Sequence, residues 1–264
     1  NWTEGGTPRT ANGTGTQNVH LGVAVQNTNT NYQLTSIIVT NSAPNCTFDL
    51  TGVASVLEQV ILRPTVVLGP AANFCDGTIP TLTASVTAGA GQNWTLRWTE
   101  NGTPRTFNGG GNQNVNLGVA AQNGNTVYQL TNIQVTNSTP NCTFDLTGQA
   151  AVTMSVIPRP TVVITPGNGF CQGDIPRLTA TVTAQPTQTW TLNWTEAGTP
   201  RSGNGAGTMT VDLGTVPQNM NATYQLTNII VTNSVPNCTF NLTGTPAQTE
   251  IMTPRPTITI TAQP

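Results

Sequence analysis

The sequence predicts an all-β chain of tandem antiparallel β-sandwich domains joined end to end, and three observations predict it. The motif Trp98-Thr-Glu-Asn-Gly-Thr-Pro-Arg105 recurs as Trp2-Thr-Glu-Gly-Gly-Thr-Pro-Arg9 and as Trp194-Thr-Glu-Ala-Gly-Thr-Pro-Arg201, a step of 96 residues both times (98 − 2 and 194 − 98). Tyr32, Tyr128 and Tyr224, then Cys46, Cys142 and Cys238, keep the same step without insertion. Such a period is the size of a self-contained domain and too long for a solenoid unit. Within each period apolar residues alternate with Thr and other polar residues, as on a half-buried strand, and no stretch sustains a 3.6-residue apolar pattern. Clusters of Gly, Asn and Pro separate these short runs.

The period sets expected boundaries at 1–62, 63–158 and 159–254, with 255–264 as the first strand of a further repeat. The first repeat is short at its N-terminal side, so the chain reads as a window cut from a longer array. Along the repeat from Arg159, Pro160 to Pro166 is a β-branched run closed by proline, an edge strand. Gly167 to Gly173 reads as a turn. Leu178, Ala180 and Val182 alternate with threonines in a second strand, and Trp190, Leu192 and Trp194 mark a third. Met209, Val211 and Leu213 mark a fourth, and Thr223 to Thr232 is a long strand carrying Tyr224. Cys238–Leu242 and Gln248–Met252 close the repeat. About 100 residues of this kind, with Trp98 or Trp194 on the third strand and Tyr128 or Tyr224 opening a late one, read as an immunoglobulin-type sandwich. The tyrosine is expected to be a corner residue, its hydroxyl tied to nearby backbone. In the motif, Gly102 and Gly198 fall where a tight hairpin needs a positive φ. Glu100 and Arg105 flank that hairpin and are expected to form an exposed ion pair of small worth.

Composition bounds the function. Charged residues are 7% of the chain, lysine is absent and the net charge is −2. That leaves no electrostatic footprint for nucleic acid, and no apolar run is long enough to enter a membrane. His20 is the only histidine, and its counterparts are Asn116 and Asp212, so it is expected to be an exposed strand residue and no repeating base or metal set exists. Carboxylates are few, and Asp145 becomes Asn241, which suits turn capping better than acid–base chemistry. The sequence therefore names no catalytic, cofactor-binding or metal-binding residue.

The five cysteines give two per full repeat: Cys75 with Cys142, and Cys171 with Cys238. One pair per repeat predicts one disulfide per domain and an oxidising compartment, with the partner of Cys46 lying before Asn1. Two unbonded buried thiols per repeat is the alternative. The bridge is expected at one end of the sandwich, because Cys171 precedes its strand and Cys238 follows one. Between repeats, Ile157-Pro158-Arg159-Pro160 has no Gly or Ser spacer, and its prolines hold the backbone extended. That predicts stiff coupling and a rod.

Pro160-Thr, Phe170-Cys171-Gln-Gly173, Leu178-Thr-Ala-Thr-Val182, Trp194, Thr223-Tyr224-Gln-Leu-Thr227, Cys238 and Pro256-Thr, in that order, resemble the Ig-like or PKD-like tandem repeats of giant Bacteroidota cell-surface adhesins, the SprB-type gliding-motility adhesins among them. The resemblance implies an exported, surface-anchored, filament-like adhesin, often exported by the type IX route, and supplies no catalytic residue. The resulting expectation is an extracellular, cell-surface stalk whose partners are neighbouring repeats and whose surface or glycan ligand sits at a distal tip. A self-assembling filament or sheath of identical chains is the second reading. A carbohydrate-binding module using Trp94 with Trp98, or Trp190 with Trp194, is the third.

Overall fold

The computed structural model describes residues 1–261. In the first repeat the strands are β1 (Trp2–Glu4), β2 (Thr7–Arg9), β3 (Thr30–Leu34), β4 (Ser36–Val39), β5 (Cys46–Asp49) and β6 (Val56–Glu58). The second repeat carries β7 (Thr65–Leu68), β8 (Phe74–Cys75), β9 (Thr83–Thr87), β10 (Asn93–Glu100), β11 (Thr103–Gly110), β12 (Gln113–Asn116), β13 (Thr126–Val135), β14 (Cys142–Asp145), β15 (Val152–Met154) and β16 (Val156–Ile157). The third repeats the series as β17 (Thr161–Thr165), β18 (Phe170–Cys171), β19 (Thr179–Thr183), β20 (Thr189–Glu196), β21 (Thr199–Ala206), β22 (Met209–Asp212), β23 (Ala222–Val231), β24 (Cys238–Asn241), β25 (Gln248–Glu250) and β26 (Met252–Thr253).

Each full repeat is built from two facing sheets. In the second, β11-β10-β13-β14 form one sheet with β15 also on β13, and β12-β9-β7 form the other. The third repeat has the same order, β21-β20-β23-β24 with β25, and β17-β19-β22. Alternate residues of both sheets meet in one core: Val66, Ala84, Val86 and Val115 from the smaller sheet against Trp94, Leu96, Trp98, Leu130 and Ile133 from the larger. The burial of each aliphatic side chain there contributes about 1.5–3 kcal/mol. The alternation changes phase once in β13 and once in β23. Trp98 faces Leu130 while Arg97 faces Asn132, so Thr131 is an extra residue, and the bulge lets Tyr128 and Leu130 share the buried face with Ile133 and Val135.

Two strands escaped the sequence reading. β21 is Gly- and Asn-rich, yet it pairs with β20 along its whole length. Its glycines are there for the tryptophans: a Cβ on Gly205 would overlap the Trp190 ring, and one on Gly109 would come within 2.6 Å of Trp94 Cζ2. β8 and β18 lie where a turn was expected, and each pairs in parallel with the last strand of its repeat, β16 and β26. The sheets are therefore not purely antiparallel.

The first repeat has β2-β1-β3-β6 and the β4–β5 hairpin, and no counterparts of β7, β8 and β9. Its apolar face is accordingly open: Ile37 is 55% and Phe48 53% exposed, whereas Ile133, the counterpart of Ile37, is fully buried. Residues 255–261 form no strand, in contrast to the expectation, and Ile258 and Ile260 are exposed. The remainder of that expected strand, 262–264, lies outside the described residues. His20 is exposed but sits in no strand.

Candidate functional site

Two constructions stand out: a buried carboxylate cluster that recurs in each repeat, and a clamp between the second repeat and the third. The cluster starts at the motif hairpin. Asn101 and Gly102 have φ of 49° and 78°, and Ala197 and Gly198 have 49° and 82°, the two-residue geometry with both central residues left-handed. That turn brings Glu100 opposite Thr103 and Trp98 opposite Arg105. The ion pair across the hairpin forms, but it is not the exposed pair the sequence suggested. Glu100 has no exposed side-chain surface and Arg105 has 27%, with Nη2 2.7 Å from Oε2. Glu196 and Arg201 repeat this at 3.0 Å, and Glu4 and Arg9 at 2.9 Å.

A buried carboxylate needs several donors. The Tyr128 hydroxyl donates to Glu100 Oε1 at 3.2 Å, and the Val119 amide donates to the same oxygen at 3.1 Å. In the third repeat the Tyr224 hydroxyl (3.2 Å) and the Thr215 amide (2.9 Å) reach Glu196 Oε1, while the Thr215 hydroxyl donates to Oε2. The tyrosine is thus tied to the motif glutamate, not to backbone as expected. Its ring is fully buried in both full repeats. The cluster joins β10, β11, β13 and the segment after β12, which explains why Trp-Thr-Glu, Arg and Tyr recur together.

Burial opposes ionisation of Glu196, but hydrogen bonds from the Thr215 hydroxyl and amide, the Val216 amide and Tyr224 outweigh it and hold the carboxyl below its ordinary 4.5. Burial pushes the Tyr224 hydroxyl well above its ordinary 10.0, and the charges of Glu196 and Glu250 push it further. The signs follow from linkage. The glutamate's contribution is full above the unfolded value near 4.5 and is lost as pH falls through the lower folded value. The tyrosine's contribution is full below the unfolded value near 10 and is lost as pH rises toward the raised folded value. We expect urea midpoints of the third repeat to be flat between these limits and to fall on both sides. Glu196→Gln should remove its share of the acid limb and Tyr224→Phe its share of the alkaline limb; limbs unchanged by either variant would contradict the assignment.

Trp98 and Trp194 are 2% exposed, Trp94 and Trp190 1%. Every one of their indole N–H groups donates to a backbone carbonyl: Gly111, Leu117, Gly207 and Leu213. These rings present no face to solvent. Asp145 accepts the Thr147 amide at 2.9 Å, and Asn241 accepts the Thr243 amide at 2.8 Å, so this position is a turn cap for which either residue serves. Glu250, whose counterparts are Glu58 and Met154, is 3% exposed and accepts the Gly167 and Gly169 amides.

The clamp lies where the second repeat meets the third. The disulfide joins Cys75 to Cys238, with Cα atoms 5.5 Å apart. This overturns the expected pairs Cys75–Cys142 and Cys171–Cys238: the bond crosses between repeats, and Cys46, Cys142 and Cys171 are unbonded. The register of β8 explains it. Pairing β8 with β16 puts Cys75 beside Ile157, and both pack against the core of the following repeat. Ile157 is 7% exposed and belongs, with Cys75 packed on it, to the core of the third repeat together with Cys238.

The linker is fastened as well. Pro64 and Pro160 are buried. Arg63 donates to the Asp145 carbonyl at 2.7 Å and stacks on Phe144, 5.9 Å from the ring centre. Arg159 does the same to Asn241 and Phe240, at 2.7 Å and 5.8 Å. Gln92 and Gln188 donate to the carbonyls of Leu62 and Pro158. The sequence showed the Arg-Pro period but not that the arginine anchors the linker to the repeat that follows.

No family model matches the chain, and no curated protein matches it. Among solved structures it is similar to a Salmonella alpha-2-macroglobulin reacted with methylamine, at 13% identity and a TM-score of 0.31, over 85% of this chain. The chain spans 19% of that protein's length.

Proposed function

We propose that this chain is a load-bearing spacer: tandem immunoglobulin-like sandwiches, domains at 63–158 and 159–254, forming part of the stalk of an extracellular cell-surface adhesin or fibre of the kind its repeats resemble. The observation that carries the reading is the junction between the second and third repeats. It combines a covalent bond, a shared apolar contact through Ile157 and an arginine-pinned linker with no spacer residue. A tether between independently moving domains needs none of these. Trp, Tyr, Glu and Arg, the residue types that most often mark a ligand site, are used here to brace each domain internally. Adhesive contact then belongs to a tip beyond these repeats. A disulfide fits an exported protein.

The test is length. Chains with two, three and four full repeats, kept oxidised, should grow in maximum dimension by a constant increment of about 35 Å per repeat in small-angle scattering, the length of a ten-residue strand. Growth as the square root of repeat number, the mark of freely jointed domains, would refute the rod.

A further inference from the structure

Cys171 occupies, in the third repeat, the place Cys75 occupies in the second. Each lies in a two-residue strand after a buried phenylalanine, Phe74 or Phe170, and each strand pairs in parallel with the last strand of its own repeat. Cys75 faces Ile157 across that pairing and Cys171 faces Thr253. Cys75 is bonded forward to the next repeat, and Cys171 is exposed and unbonded. The receiving position recurs in the same way. Cys46, Cys142 and Cys238 each open a strand, and each sulfur sits 3.7–3.8 Å from the carbonyl oxygen of Pro44, Pro140 or Pro236. Cys238 is fully buried beneath its partner, while Cys142 is half-buried and Cys46 exposed.

The bond spans 163 residues, which is one period of 96 plus the 67 that separate the two cysteines of one repeat (142 − 75). Moved forward by one period, its forward half falls on Cys171 and its receiving half on a following repeat. Moved back, its receiving half falls on Cys142. The three unbonded cysteines are thus the positions whose mates lie one repeat away.

From this we propose that Cys171 is a disulfide-forming site for a following repeat of the same sequence in the same chain, bonding to that repeat's counterpart of Cys238. The array is then stapled at every junction and no repeat carries an internal bridge. The inference rests on the tandem-array reading and adds a connectivity to it. In the reaction two thiols lose two protons and two electrons as the S–S bond forms. A small disulfide such as oxidised glutathione accepts them by thiol–disulfide exchange and leaves as two thiols.

The test extends the full chain by one repeat, a second copy of residues 159–254 joined after Pro254, the copy carrying Cys171→Ser, which removes its own forward thiol, and Thr239→Ser, which marks its last cysteine by mass. The protein is equilibrated in a reduced and oxidised glutathione buffer, alkylated, and mapped by mass spectrometry without reduction. Expected are two links, Cys75–Cys238 and Cys171 to the added copy's last cysteine, with Cys46 and Cys142 alkylated. Cys171 found alkylated, or joined to Cys238, overturns the proposal. The original chain is run in parallel with its Cys171→Ser variant on non-reducing gels. A monomer with Cys171 alkylated supports the in-line bond; a dimer lost in the variant would assign Cys171 to a second copy and overturn it. Scattering on the extended chain separates the two readings: the usual length increment with Cys171 unbonded removes the staple and leaves the rod.

Discussion

Replacing Glu196 by alanine is expected to destabilise the third repeat by about 3–6 kcal/mol, a loss confined to the largest class of single substitutions. The side chain has no exposed surface, and its two oxygens accept from Arg201, Tyr224 and both donors of Thr215. Without them the buried Tyr224 hydroxyl and Thr215 amide lose their acceptor, at about 1–3 kcal/mol each, and a cavity is added. Arg201→Ala should cost less. The guanidinium is 29% exposed, and Glu196 keeps its hydroxyl and amide donors. The same order should hold for Glu100 and Arg105, because the geometry repeats. Urea titration of oxidised protein, followed by tryptophan fluorescence, measures both. A Glu196→Ala change under about 0.5 kcal/mol, the size of an ordinary surface effect, would mean the carboxylate is solvated after all.

That cluster also marks how far the sequence could be read. The alternation and the positive-φ hairpin were visible because each depends on neighbours a few residues away, and the period because the same residues recur at a step of 96. The depth of Glu100 was not, because nothing local distinguishes a glutamate at a hairpin mouth from one covered by a tyrosine 28 residues later. Low charge hinted at it only in hindsight: a chain with so few carboxylates keeps the same one in every repeat. β11 and β21 were missed for an opposite reason. Their glycines read as loop by propensity, yet the pairing register sets Gly109 and Gly205 against Trp94 and Trp190, where no larger residue fits. Local preference yielded to packing.

The cysteines failed differently. Parity fixes that bonds form, and it is blind to a shift by one period. Pairing within a repeat and pairing to the next repeat use the same two positions and the same count. Only the parallel β8–β16 pairing, which carries Cys75 to the junction, decides between them. Short parallel pairs formed between the start and end of a domain leave no periodic signal, since two residues cannot show alternation.

Breaking Cys75–Cys238 should have an effect of similar size and a clear mechanical signature. With the second repeat folded, Cys75 is held beside Ile157, so the loop closed on unfolding the third repeat runs from Ile157 to Cys238, 81 residues (238 − 157). The chain-entropy model gives about 4–5 kcal/mol for a loop of that length. For a domain of this size the corresponding drop in Tm is roughly 20 °C. Calorimetry of Cys75→Ser, and of the native chain with and without dithiothreitol, should show one transition displaced by that amount, and Cys171→Ser should leave it in place. Under end-to-end load the consequence is larger than the free energy suggests. Tension entering at one terminus passes through the bond from Cys75 to Cys238, so the 163 residues between them cannot extend, about 550 Å of contour at roughly 3.4 Å per residue. An internal bridge in each repeat would hide only its own loop and leave the linker and its flanks to stretch. Single-molecule pulling therefore distinguishes a clamp across the junction from a brace within a domain: reduction should release that hidden length, and force curves identical before and after reduction would show that the bond does not lie in the path of the load.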